Sequence, residues 1–211
     1  LRARIKSYDL AFRMQTAIPE VMKLEDETRQ THALYGLDNS TTRSFGQKLL
    51  TTRRLVEEGV RFVQVFHGGG AAGAWDAHSN LISNHTNMCG QADKPIAGLL
   101  RDLKQRGLLE EPVVVWPSEF GRTPGVQGKN GRDHHPYGFS VWLAGGGIKR
   151  GYVYGKSDET GSAPVENPVH PRELLASIYH AVGINPQTLV YNHLNQPREL
   201  VKAEPVLDLF A

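Results

Sequence analysis

Twice along this chain of 211 residues, an apolar stripe at helical spacing ends at a glycine and gives way to a short run of β-branched and aromatic residues. The first instance joins Phe45, Leu49, Thr52 and Val56, in a helix predicted from Thr42 to Glu58 and closed by Gly59, to the run Val60 to Phe66. The second joins Ile96, Leu99, Leu100 and Leu103, closed by Gly107, to Val113-Val114-Val115-Trp116. Glycine just past a helix adopts the left-handed backbone that ends it, and the loss of the 3.6-residue period marks the passage to a strand. A third apolar run, Phe139 to Ala144, precedes Gly145-Gly146-Gly147, and Pro171 and Gly183 bracket a last helix with Leu174, Leu175, Ile178 and Val182. Helix, glycine, strand and loop in repetition predict an α/β fold: an open, mostly parallel sheet flanked by helices and joined by right-handed crossovers. Val113–Trp116, apolar on both faces, suits a central parallel strand.

The rest of the chain is read around that plan. Residues 1–40 are polar with Leu10, Met14, Ile18, Val21 and Leu24 at helical spacing and Pro19 among them, which predicts an N-terminal helical extension to an α/β domain over 41–211. The polar stretch from Gly151 to Asn167 reads as a surface hairpin or lid, and the tail after Tyr191 is expected to pack back through Leu200, Val206 and Leu209. A net charge of +2 gives no argument for nucleic acid or a membrane surface as partner. No apolar run approaches the roughly 20 residues that span a bilayer. The chain opens Leu1-Arg2-Ala3-Arg4, with neither a starting Met nor an apolar leader, as a fragment or processed chain does. Cys89 is the single cysteine, which excludes an internal disulfide and a cysteine-built zinc cluster; beside Met88 it reads as a small buried hydrophobe.

Chemistry concentrates in three polar blocks that follow or precede these apolar runs. Trp75-Asp76-Ala77-His78-Ser79-Asn80 comes after the glycine stretch that begins at Gly68. Glycine lets backbone approach an ion closely, and a carboxylate with a neutral imidazole suits a divalent cation. Ser118-Glu119-Phe120-Gly121-Arg122-Thr123 stands where Val113–Trp116 ends. In an open α/β sheet, side chains there enter the ligand crevice, and a carboxylate in such a place is paired or binds a cation. Its local partner is Arg122, whose guanidinium fork also suits phosphate or sulfate oxygens. Asp133-His134-His135-Pro136 precedes the third run. Adjacent imidazoles on extended backbone face opposite ways, so at most one is a ligand and the other lines the pocket, while Asp133 is expected to bind metal or orient a histidine. Each block also has a plain reading, as a helix cap, an ion pair or a solvated loop. His170 before Pro171 reads as a cap or a packing residue, His67 against the glycines reads equally as a crevice residue or a satisfied strand end, and His32, His85, His180 and His193 carry no distinct signal. There is no Gly-x-Ser-x-Gly elbow and no His-Glu-x-x-His helix.

Taken together, these blocks resemble the family of often exported bacterial proteins known as domain of unknown function 1501. The resemblance runs over nearly the whole chain. It is carried by His67-Gly68-Gly69-Gly70, Trp75-Asp76-Ala77-His78, Glu119-Phe120-Gly121-Arg122-Thr123-Pro124, Gly131-Arg132-Asp133-His134-His135-Pro136, Val141-Trp142-Leu143-Ala144-Gly145-Gly146-Gly147 and Val165-Glu166-Asn167-Pro168-Val169-His170. That family is grouped with the alkaline phosphatase and sulfatase superfamily, which implies that superfamily's sheet, here without its first strand. The resemblance implies one or two divalent ions, zinc, manganese, iron or calcium. Asp76, His78, Glu119, Asp133 and His134 would form the ligand set, and Arg122 and His135 would face an anionic small-molecule or glycan ester. It further implies an exported or periplasmic parent protein, and a bare sheet edge would favour a homo-oligomer. Two departures accompany it. Phe120 stands where a second imidazole ligand is expected, and neither Ser118 nor Thr123 occupies the nucleophile position. Two functions follow: a metal-dependent hydrolase of phosphate or sulfate esters, or a non-catalytic metal- or glycan-binding scaffold derived from one.

Overall fold

The computed structural model describes residues 4, 5, 8 and 12, 19–68 and 73–211. They belong to two compact units, Leu1–Gln105 and Arg106–Ala211. Leu10, Met14, Ile18, Gly69 and Gly70 lie outside the described residues.

The described part of the first unit is helical. Residues 19–22 are helical, a 3-10 turn covers Leu24–Asp26, and three helices follow: α1 (Arg29–Leu34), α2 (Ser40–Glu57) and α3 (Leu81–Gln105). Thr28 caps α1 by accepting from the Thr31 amide at 3.0 Å, and Asn39 caps α2 by accepting from that of Thr41 at 2.9 Å. Phe45, Leu49 and Leu50 of α2 are buried, as are Met88, Ala92, Leu99 and Leu103 of α3, so both predicted stripes become the core. Cys89 is exposed, because Met88 takes the inward position on α3. The end of α1 fits close against both long helices. A Cβ on Gly46 would stand 2.2 Å from the Tyr35 carbonyl oxygen, and one on Gly98 2.5 Å from that of Leu34. No larger residue fits either place.

That core also holds charge. Arg53 is 2 % exposed, with Nε 3.1 Å from Asp102 Oδ2 and Nη2 2.6 Å from Glu27 Oε1, and it also pairs with Glu57. The Tyr35 hydroxyl donates to Asp102 Oδ2 at 2.9 Å, and Arg54 reaches Glu27 at 2.7 Å. Burial, together with the Asp102 carboxylate, pushes the Tyr35 phenol far above its ordinary range. For Glu27, burial works to raise the carboxyl, but the bonds from Arg54 and Arg53 outweigh it and hold the group below the usual carboxylate range.

Val60 to Phe66 is not a strand. It carries no ladder, and Phe62 is 76 % exposed. Apolar, β-branched composition satisfies a strand only when a neighbouring strand takes up its amides and carbonyls. Here the Val60 amide goes to the Leu55 carbonyl at the end of α2 and the Phe66 carbonyl accepts from Lys48 Nζ at 3.2 Å, and no ladder forms among the described residues.

The second unit is built from hairpin ladders and one helix. β1 (Val113–Trp116) pairs with β4 (Trp142–Gly145), Val113 opposite Gly145 and Trp116 opposite Trp142, and the two indoles stack with planes 4° apart. β2 (Gly121–Arg122) pairs with β3 (His134–His135), β5 (Lys156–Ser157) with β6 (Pro164–Glu166), and β7 (Leu189–Tyr191) with β8 (Pro197–Glu199). Every ladder among the described residues is antiparallel and two-stranded, which corrects the expectation of an open parallel sheet. The connection explains it: parallel neighbours need a crossover, usually helical, whereas the chain between β1 and β4 makes only the small β2–β3 hairpin. The third strand is likewise shorter than predicted, because Phe139 to Val141 lie outside the β1 register. The polar stretch after Gly151 does form a hairpin, β5–β6, whose turn is tied by Asp158 accepting from the amides of Thr160, Ser162 and Ala163. α4 (Pro171–Ala181) begins with the His170–Glu173 capping box. The tail packs back on this unit through Val206 N to Ser177 Oγ at 2.8 Å and Lys149 N to Leu209 O at 2.8 Å.

Candidate functional site

In the first unit, Asp76 and His78 lie on the loop that leads into α3. Ala77 between them is buried, which turns the two polar side chains the other way. Asp76 is half-buried and His78 exposed, with His78 Nε2 3.1 Å from Asp76 Oδ1. That spacing fits a shared cation. Two ligand bonds of about 2.1 Å subtend roughly 3.0 Å at a right angle and roughly 3.4 Å at a tetrahedral one. The same geometry serves a hydrogen bond, so a metal binding here would replace the proton between the two groups. Asn80, the next polar residue, has φ +52°, and its carbonyl accepts from the Asn84 amide, so it turns the chain into α3.

Upstream of Asp76 the loop is tightly held. The Trp75 indole N–H donates to His67 Nδ1 at 3.0 Å, and the Trp75 carbonyl lies 3.2 Å from His85 Nε2. Asn84 Nδ2 donates to the Ala74 carbonyl at 2.9 Å. The sequence leaves His67 open between a crevice residue and a satisfied strand end, and carries no distinct signal for His85. An asparagine and a histidine side by side on the first turn after a loop are unremarkable until the carbonyls they meet are known.

In the second unit, the β2–β3 hairpin gathers the remaining residues. Arg122 is directly opposite His134, which places both on one face, while His135 is opposite Gly121 on the other. Phe120 joins the first face: its ring is 4.3 Å from that of His134, and the Arg122 guanidinium lies 5.5 Å from its centroid. The position expected to carry an imidazole ligand therefore carries a ring that packs between an imidazole and a guanidinium. Asp133 is exposed and accepts from the His134 amide at 2.8 Å, and its own amide donates to Thr123 Oγ1 at 3.1 Å. His135 Nε2 is 2.6 Å from the Ser162 carbonyl, so that nitrogen donates and only Nδ1 is left for other chemistry. Glu119 is exposed, and the desolvation argument for it falls away; the Ser118 hydroxyl lies 3.2 Å from Oε2 and 2.8 Å from the Phe120 carbonyl. The Thr123 hydroxyl donates to the Gly125 carbonyl at 2.9 Å. Both hydroxyls hold turns.

A family model described as protein of unknown function, domain of unknown function 1501, matches residues 1–210. The chain belongs to that family. No curated protein and no solved structure matches it.

Proposed function

We propose that this chain is a divalent-metal protein of the alkaline phosphatase and sulfatase type, acting as a hydrolase of phosphate or sulfate esters. In this reading Asp76, His78, Glu119, Asp133 and His134 supply the metal ligands, zinc, manganese, iron or calcium being the candidates. The observation that carries it is the Asp76–His78 pair, a carboxylate oxygen and an imidazole nitrogen 3.1 Å apart on a loop pinned at Ala74 and Trp75. A bound ion would supply a Lewis acid for an ester oxygen. Arg122, spread on the Phe120 ring, offers a planar donor fork to the ester's anionic oxygens. His135, with Nδ1 as its open nitrogen, is the candidate to move a proton. An exported parent protein and a homo-oligomer belong to the same proposal.

A second reading has its own support. Phe120 occupies an expected ligand position, and the Ser118 and Thr123 hydroxyls are committed to backbone carbonyls. These favour a scaffold that binds metal or an anionic glycan without turnover. Metal analysis after chelator-free purification separates the cases. Near-stoichiometric metal in the wild type, lost in both Asp76→Ala and Glu119→Ala, supports the metal centre, and a chain that neither carries nor takes up metal overturns it. With metal present, hydrolysis of 4-nitrophenyl phosphate or sulfate supports the hydrolase, and its absence supports the scaffold.

A further inference from the structure

The Trp75 side chain lies between two imidazoles, its ring centroid 5.4 Å from that of His67 and 5.6 Å from that of His85. Beyond His67 comes Phe45 of α2, edge-on at 4.3 Å. An indole N–H can only donate, so the 3.0 Å contact from Trp75 Nε1 requires a lone pair on His67 Nδ1. Neutral His67 then carries its proton on Nε2, and that atom is buried with no hydrogen-bond partner among the described residues. Neither nitrogen is available to a metal: one is engaged by Trp75 and the other is protonated. A buried donor without an acceptor is a cost that an apolar ring in the same place would not carry. What the imidazole offers in return, among the described residues, is its bond to Trp75. Burial and the nearby Lys48 ammonium hold His67 below the ordinary histidine range, which keeps Nδ1 free to accept at neutral pH.

We infer that His67 is a positioning residue for the Asp76–His78 pair, holding the Trp75 indole so that the carboxylate one residue on is presented in a fixed direction. The inference rests on the metal-binding reading of that pair. Trp75 is gripped at both ends, its ring by His67 and its carbonyl by His85 Nε2, while the Ala74 carbonyl before it is gripped by Asn84. The peptide that leads into Asp76 therefore has its plane set from two sides. His67 precedes the loop and Asn84 and His85 stand on α3, so the loop is clamped across its own ends. Ligand orientation of this kind, supplied by groups that never touch the ion, typically changes metal affinity 10- to 100-fold.

Zinc titration by calorimetry at neutral pH, with thermal unfolding in chelator as the control for folding, tests this on the whole chain. Trp75→Phe keeps the ring and removes the donor, and His67→Phe keeps the aromatic contact and removes the acceptor. Each is expected to weaken zinc binding about 10-fold. The double variant should be no worse than either single one, and His67→Gln, whose amide oxygen can accept, should recover most of the affinity. The wild-type imidazole nitrogen spectrum should show His67 unprotonated at Nδ1 and protonated at Nε2. Wild-type zinc affinity in a folded Trp75→Phe, or a proton on Nδ1, overturns the positioning role alone. A wild-type chain that binds no zinc overturns the ligand reading, and the positioning role with it. Should His67→Phe fail to fold, Trp75→Phe and the spectrum decide.

Discussion

The two units hold their candidate residues by different means. The first packs two long helices, and among the described residues the buried apolar side chains lie in it except Ala176, Pro186 and Val201. Its polar loop is tied to that core by side chains of His67, Asn84 and His85. The second is made of two-stranded ladders, and its polar face is set by a hairpin only two residues long on each side. A loop clamped to a helical core has its direction set by several side chains of that core. A short ladder relies on local turn bonds, such as those of Thr123 and Asp158, and on ring stacking.

That contrast breaks first at the buried charges. Arg53→Ala removes the guanidinium that Asp102 meets in the core and leaves Glu27 to Arg54, and should cost about 3–5 kcal/mol in urea unfolding; a loss below about 1 kcal/mol would mean that the helical core does not depend on its ion network. Gly46→Ala comes next. The new Cβ meets a backbone carbonyl that no rotamer change relieves, with an expected cost of about 1–3 kcal/mol. The second unit should respond less to a comparable insult. Trp142→Leu removes the stacked pair with Trp116 and should cost about 0.5–1.5 kcal/mol beyond lost area, read from unfolding followed by circular dichroism. Thr123→Val loses the bonds at Gly125 and Asp133 for about 1 kcal/mol, and chemical shifts confined to residues near 119–135 would show the effect to be local.

Acid sharpens the comparison. The Glu27 carboxyl sits below its ordinary range in the fold, so its contribution is complete above the unfolded value, near about 4.3, and is lost as pH falls through the lower folded one. The helical unit should therefore lose stability on acidification below about pH 4. Glu27→Gln should flatten that slope, and an unchanged pH profile in the variant would assign the acid sensitivity elsewhere.

The parts of the fold that depend on near neighbours in sequence were legible in it. The stripes of α2 and α3, the bracketed α4, the run Val113–Trp116 and the β5–β6 hairpin all follow from spacing, caps and turn residues within a few positions. Val60 to Phe66 failed because a ladder depends on a partner that composition does not specify. The parallel sheet failed with it, since β1 took its neighbour from a hairpin rather than across a helix. At the candidate site, the residue types of Asp76, His78, Asp133 and His134 pointed to metal chemistry. The sequence leaves His67 open between the crevice and a strand end and does not set His85 apart: their meaning lies in which ring nitrogen is engaged, and that depends on a tryptophan and a carbonyl eight and ten residues away.

The chain's three tryptophans divide between the units, Trp75 in the first and the stacked Trp116 and Trp142 in the second. Each unit thus carries its own fluorophore. Emission from Trp75 would report on the polar loop, where its indole donates to His67, while the stacked pair reports on the β1–β4 ladder. Single-tryptophan variants would let each unit be watched in its own light as acid, metal or denaturant is added.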